Sequence, residues 1–233
     1  MNYIIDHIPK NTAKNRRPGL PMTPTTITIH NTGNPSSTAR NERAWLTNPA
    51  NDRTASYHIV VDEREAIECI PLNEVAWHAG DGNGDGNRKS IGIEICESGD
   101  YAKTLDNAAT LVAKLLKDRG WGVDRLRRHF DWSGKICPRL MYDSGRWTGW
   151  TAFNNMVRDK LKSVKGDDQI MDELKRRVEQ LQRNVEELTK KIPAPDWFVD
   201  EFGSGDLGGL ISDPHFTVEG WRALAVALRA QKA

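Results

Sequence analysis

The chain has 233 residues, 28% of them charged, with a formal net charge of +1 and 8 Trp among few aromatics overall. This composition predicts a folded protein with one domain of about 160 residues plus something smaller, and it excludes a collagen, a disordered tail and a polybasic nucleic-acid binder. No apolar run approaches the roughly 18 residues of a membrane-spanning helix, so no membrane segment is expected.

The first segment, MNYIIDHIPKNTAKNRR, has an acidic residue and a His where a secretory signal needs a longer apolar stretch. Synthesis in the cytoplasm is therefore expected, with another exit route for any role outside it. Strand signals follow at Thr26–His30, which alternates and is β-branched, and at Tyr57–Val61, Ala66–Ile70 and Ser90–Cys96. A helix is expected around Ala39–Leu46. Leu105, Ala108, Ala109, Val112, Leu115 and Leu116 share one helical face, and Phe153, Met156, Val157 and Leu161 form a second stripe. Strands alternating with helices predict an α/β fold with a mixed central β-sheet flanked by helices.

Charge divides the chain. Residues 1–165 carry 24 Lys and Arg against 19 Asp and Glu, and residues 166–233 carry 9 against 13. The change falls at Lys165-Gly166-Asp167-Asp168, a polar junction suited to a linker. The mild basic excess suits an anionic polymer as readily as ordinary solvated charge. Beyond it, Met171, Leu174, Val178, Leu181, Val185, Leu188 and Ile192 recur at alternating spacings of three and four. That is a coiled-coil-like seam of about three heptads, and Val at a with Leu at d favours two parallel strands. A single amphipathic helix packed on its own chain fits the same pattern. Pro193 and Pro195 stop this helix. A small α-helical unit then closes the chain, ending in a helix with Trp221, Leu224, Ala225 and Leu228 on one face. The expected parts are thus 1–165, 166–192 and 193–233.

Cys69, Cys96 and Cys137 are too few, and odd in number, for a disulfide framework, so at least one thiol stays free or binds something. His30 lies where a strand gives way to a loop, the place where sites of α/β folds collect. Taken alone it reads more readily as a structural or surface His. His129 and Cys137 are separated by a loop long enough to bring both to one point, and imidazole with thiolate suits zinc. Cys137 between Ile136 and Pro138 also reads as a buried thiol. With one further His the pair would give three ligands and leave one tetrahedral position open, the pattern of a catalytic site. Glu94 alternates with Ile91, Ile93 and Ile95, and burial there would raise its pKa and suit it to accept a proton. An edge strand with Glu94 in solvent is the alternative. Lys135, two residues before Cys137, could stabilise an oxyanion or be an exposed loop lysine. Asp81, Asn83, Asp85 and Gly86 begin like an EF-hand loop, but position twelve is Gly92, so these residues read as a glycine-rich, flexible lip of the cleft. Trp45, Trp77, Trp121, Trp132, Trp147 and Trp150 read mostly as core.

Five segments in order, TITIHNTGN at 26–34, SYHIVV at 56–61, VAWHAGDG at 75–82, SIGIEIC at 90–96 and RHFDWSGKICPR at 128–139, carry a resemblance. They resemble the type-2 N-acetylmuramoyl-L-alanine amidases, the family that includes phage lysozyme-like amidases and peptidoglycan recognition proteins. The chain looks most like a bacteriophage or prophage endolysin of a Gram-positive host. The resemblance implies that His30, His129 and Cys137 bind Zn2+, that Glu94 handles a proton and that Lys135 stabilises the amide oxygen. It matches Tyr57 and His78 to residues near the cleft that would contact substrate, with a core strand aromatic for Tyr57 and a packed cleft-wall His for His78 as the alternatives. It implies hydrolysis of the amide between N-acetylmuramic acid and L-alanine of peptidoglycan, with bacterial peptidoglycan as partner, no nucleic acid and no membrane, and holin-type exit. A homodimer through residues 171–192 and wall targeting by the last part are further expectations. Two alternatives stand beside it: a host autolysin with the same chemistry, and a peptidoglycan-binding module that does not cut. In this family the second goes with loss of the cysteine ligand, and Cys137 is present.

Overall fold

The computed structural model describes residues 1–232, with the side chains of 164–169 and 232 outside the description. The junction expected at 165–168 falls within that stretch and so lies outside the described side chains. The chain divides into two compact units, Met1–Asp167 and Asp168–Ala233.

In chain order the first unit contains β1 (Asn2–Ile5), β2 (Thr26–Asn31), α1 (Ala39–Trp45), β3 (Ile59–Val61), β4 (Glu65–Glu68), α2 (Asp85–Lys89), β5 (Ser90–Ile95), α3 (Tyr101–Asp118), β6 (Leu126–Arg128) and α4 (Phe130–Ser133). Helix α5 is assigned over Thr148–Thr189, and its first turns belong to this unit. The strands form one mixed sheet in the order β1-β4-β3-β5-β2-β6. Only β3 and β4 pair antiparallel; β3, β5, β2 and β6 run parallel, so their carboxyl ends share one edge.

β2 forms because its β-branched residues suit a pleated strand buried on both faces. Alternation then sorts the side chains. Ile27 and Ile29 of β2 join Ile91, Ile93 and Ile95 of β5 under α3 (Ala108, Val112, Leu116) and α5 (Phe153, Val157, Leu161). On the opposite face Val60, Ile67, Cys69, Cys96 and Tyr57 pack against Ala39 and Leu46 at the two ends of α1. Thr38 caps α1 in a reciprocal box with Asn41, and the Asp100 carboxylate caps α3 at the Lys103 N–H.

The mixed sheet flanked by helices is the expected fold class. Three short elements, β1, β6 and α2, carry too few alternating residues to stand out in sequence. Of the six tryptophans read mostly as core, only Trp147 is buried; Trp77, Trp121 and Trp150 are half-buried against the core, Trp132 is half-buried over β2, and Trp45 is exposed. Among the described residues no helix is long and apolar enough to cross a membrane.

In the second unit the rest of α5 is followed by β7 (Ile192–Pro193), α6 (Asp196–Phe202), β8 (His215–Phe216) and α7 (Val218–Lys232). Ile192, expected as the last seam residue, is not helical. It precedes Pro193, whose ring drives the preceding residue to extended backbone, and it pairs with Phe216 in an antiparallel ribbon. Phe198, Trp221 and Ala225 make a small core, and the Trp221 indole donates to the Ile192 carbonyl at 3.0 Å. Met171, Leu174, Val178, Leu181, Val185 and Leu188 are all exposed along α5.

Candidate metal centre and cleft

The carboxyl ends of β2 and β5 deliver His30 and Glu94 side by side, as register partners on the face opposite the isoleucines. The loop after β6 delivers the rest. Asp131 accepts from the Arg128 N–H and guanidinium, and the Trp132 indole donates to Thr28 Oγ1 at 2.8 Å, pinning α4 to β2. Gly134 ends α4 at φ +73°, a backbone that favours glycine. The Phe130 N–H then donates to the Cys137 carbonyl at 3.2 Å. This turn brings both ends of the HFDWSGKIC segment to one point.

The result is a cluster. Ligand atoms of His30, His129 and Cys137 lie within 4.8 Å of one another, and all three residues are buried. His30 Nδ1 is 3.0 Å from His129 Nδ1 and 3.7 Å from Cys137 Sγ. A tetrahedral zinc with Zn–N near 2.0–2.1 Å and Zn–S near 2.3 Å sets such atoms roughly 3.3–3.6 Å apart. Two imidazoles and a thiol at this spacing can hold a metal ion of that kind.

Protonation agrees. Burial first, and then the neighbouring His78 and His129, hold His30 well below the usual histidine pKa. Burial first and Lys135 second lower His129 to about 4. Both rings are therefore neutral near pH 7 and offer lone pairs. Burial pushes the Cys137 thiol up to about 12, with Glu94 adding and the Asn31 backbone opposing. A buried thiol of this kind becomes a thiolate only beside a cation.

Glu94 is half-buried, yet its Oε2 is sealed from solvent and has no hydrogen-bond partner. Burial raises its pKa to about 8, Glu42 adds to the rise, and Lys135 opposes it. An orphaned carboxyl oxygen beside the cluster is poised for a group that is not part of the chain. Glu94, Lys135, His30, His129 and Cys137 line one cleft of about 640 Å³, walled by Asn34, Glu42, Trp45, Arg53 and Trp77. A larger apolar groove of about 1140 Å³, beside Tyr3, Leu72, Leu111 and Trp121, contains none of the cluster residues.

Tyr57 and His78 line the same cleft, both buried. The Tyr57 hydroxyl donates to the Glu42 carbonyl at 2.9 Å and so anchors α1. His78 has both nitrogens engaged, Nδ1 with His30 at 3.1 Å and Nε2 with the Ser90 carbonyl at 3.0 Å. This leaves no ring nitrogen for the substrate contact expected of it. The glycine-rich stretch read as a flexible lip is hydrogen-bonded at its base. The Asp81 carboxylate accepts the Gly86 and Asn87 N–H groups at the start of α2. Glu42, His58 and Asn87 carried no signal in the sequence. Glu42 sits mid-helix, and the other two act through partners brought near only by folding.

Residues 20–140 match the family model described as N-acetylmuramoyl-L-alanine amidase. The chain is 48% identical over 147 residues to N-acetylmuramoyl-L-alanine amidase CwlA of Bacillus subtilis, covering 59% of this chain and 53% of that protein. It is 52% identical over 126 residues to amidase XlyB of the same organism, covering 52% and 39%. The chain thus spans about half, or less, of the length of these relatives. Among solved structures, the catalytic domain of XlyA superposes with a TM-score of 0.61 at 44% identity, covering 67% of this chain and 99% of that domain.

Proposed function

As the chain belongs to the N-acetylmuramoyl-L-alanine amidase family, we propose that it hydrolyses the amide between N-acetylmuramic acid and L-alanine of peptidoglycan, as an endolysin acting on the bacterial cell wall. The observation that carries the reading is the convergence of His30 Nδ1, His129 Nδ1 and Cys137 Sγ beside the unpartnered Glu94 carboxyl, within the matched segment. It is also what favours the enzyme over a wall-binding module, which needs no such constellation.

His30, His129 and Cys137 would hold Zn2+. A bound zinc supplies Lewis acidity, polarising the scissile carbonyl and making water nucleophilic near neutral pH. Glu94 takes the proton of the attacking water and passes it to the leaving amine of L-alanine. Burial raises the Glu94 pKa to about 8 in the metal-free chain; a cation held beside it would favour the ionised form that accepts the water proton, and the raised pKa suits the protonated form to donate to the amine. Lys135, exposed at the cleft mouth, sets its ammonium against the developing oxyanion of the carbonyl. The wall of the cleft that carries Trp45, Arg53 and Trp77 offers aromatic faces and a cation to the glycan and the stem peptide.

We further propose that the exposed face of α5, from Met171 to Leu188, pairs with a second copy of the chain. Its 3,4 spacing and its Val/Leu alternation support a parallel pair. Light scattering of the full chain should give twice the monomer mass, and Leu181→Glu should halve it.

The test of the activity is digestion of purified Gram-positive walls with and without a zinc chelator. New N-terminal alanine without new reducing sugar, abolished by chelation, supports the amidase. Binding without release of either would overturn it in favour of a recognition module.

A further inference from the structure

We propose that His78 is a positioning residue that fixes the tautomer of His30, so that His30 presents a bare Nδ1 to the metal. The direction of each hydrogen bond follows from the one group that has no choice. The Ser90 carbonyl can only accept, so His78 Nε2 carries the proton of that 3.0 Å bond. A neutral ring then leaves His78 Nδ1 as an acceptor. Its partner at 3.1 Å is His30 Nε2, which must therefore donate. A neutral His30 protonated at Nε2 has its lone pair on Nδ1, the atom that faces His129 and Cys137.

The seat of His78 makes this arrangement hard to change. Gly92 of β5 lies directly against the ring, and a Cβ there would come within 2.6 Å of it. The His78 and Ala79 N–H groups both donate to Asn87 Oδ1 at 2.8 Å, which clamps the backbone. His58 abuts the ring edge-on at 5.6 Å and is itself fixed, donating from Nε2 to the Glu74 carbonyl and accepting the Gly92 N–H at Nδ1. The His78 side chain thus orients the His30 imidazole, while Asn87 holds the backbone of residues 78 and 79 in place.

The affinity part of the test rests on the zinc reading above; the tautomer part does not. Long-range 1H–15N correlation spectra of the metal-free full chain should show His30 in a single Nε2–H form. An Nδ1–H form in the wild type overturns the proposal without any variant. His78→Asn keeps an acceptor oxygen near the place of Nδ1, and His78→Leu removes it. Zinc affinity by chelator competition should fall about 10–100-fold in His78→Leu and stay within about threefold of wild type in His78→Asn. Near-ultraviolet circular dichroism establishes that each variant is folded. Equal loss in both variants, or wild-type affinity with a single tautomer in His78→Leu, overturns the proposal. A wild-type chain that binds no zinc overturns the metal reading instead, and the tautomer then decides this one.

Discussion

Glu94→Gln keeps the size of the side chain and removes its proton chemistry, so it separates two consequences of burial. The first is catalytic. Loss of a positioned acid–base group lowers turnover by about 10²–10⁴-fold, while His30, His129 and Cys137 keep their places and zinc stays bound. The second concerns stability. In the metal-free protein the Glu94 pKa is raised from 4.5 to about 8, with burial as the main cause. Between those values the folded state holds a proton that the unfolded state has lost, so stability falls as pH rises through this window and the penalty is complete above about pH 8. At 1.36 kcal/mol per unit the ceiling is about 4–5 kcal/mol. Solvent reaching a half-buried side chain trims this to about 2–3 kcal/mol. Urea unfolding of the metal-free wild type and Glu94→Gln at pH 5 and pH 8.5 measures it. The variant should gain on the wild type by about that amount at the higher pH and little at the lower. Parallel pH dependence of the two proteins, or undiminished wall lysis by the variant, would refute the reasoning.

Cys137→Ser should weaken zinc by more than the roughly 10–100-fold that loss of a supporting partner costs, and abolish wall lysis, as metal titration and turbidity assays can follow. Phe153→Ala empties a core position that is 2% exposed and should cost about 3–5 kcal/mol; a loss under 1 kcal/mol in chemical denaturation would contradict that packing. Trp132→Phe keeps an aromatic side chain, though a smaller one, and deletes the indole N–H donated to Thr28. It should cost about 1 kcal/mol and weaken zinc measurably, because α4 carries the chain from His129 toward Cys137; unchanged zinc affinity would show that the pin is not needed.

The centre of the sheet was legible because its signal is local. Alternation in Thr26–His30 and in Ser90–Cys96 put the isoleucines on one face and His30 and Glu94 on the other, which is how the structure sorts them. The HFDWSGKICPR segment carries its turn residues and its two cluster members together. What stayed hidden depends on distant pairing. Nothing near His78 in the chain shows that Ser90 and His30 take both of its nitrogens. Glu42 meets Tyr57 and the cleft only because α1 folds over the sheet. Trp45 lies on the cleft wall, where its size alone suggested core. The heptad pattern overran its helix because Ile192 fits a seam and a small core equally, and Pro193 decides between them.

The metal centre is tested most directly by zinc-edge X-ray absorption on the full chain loaded with one equivalent of zinc. The expected first shell has one sulfur near 2.3 Å and nitrogen or oxygen neighbours near 2.0–2.1 Å, with the outer-shell pattern of two imidazoles, and the sulfur is lost in Cys137→Ser. A shell of oxygen alone, or the same spectrum in that variant, would contradict the assignment of His30, His129 and Cys137.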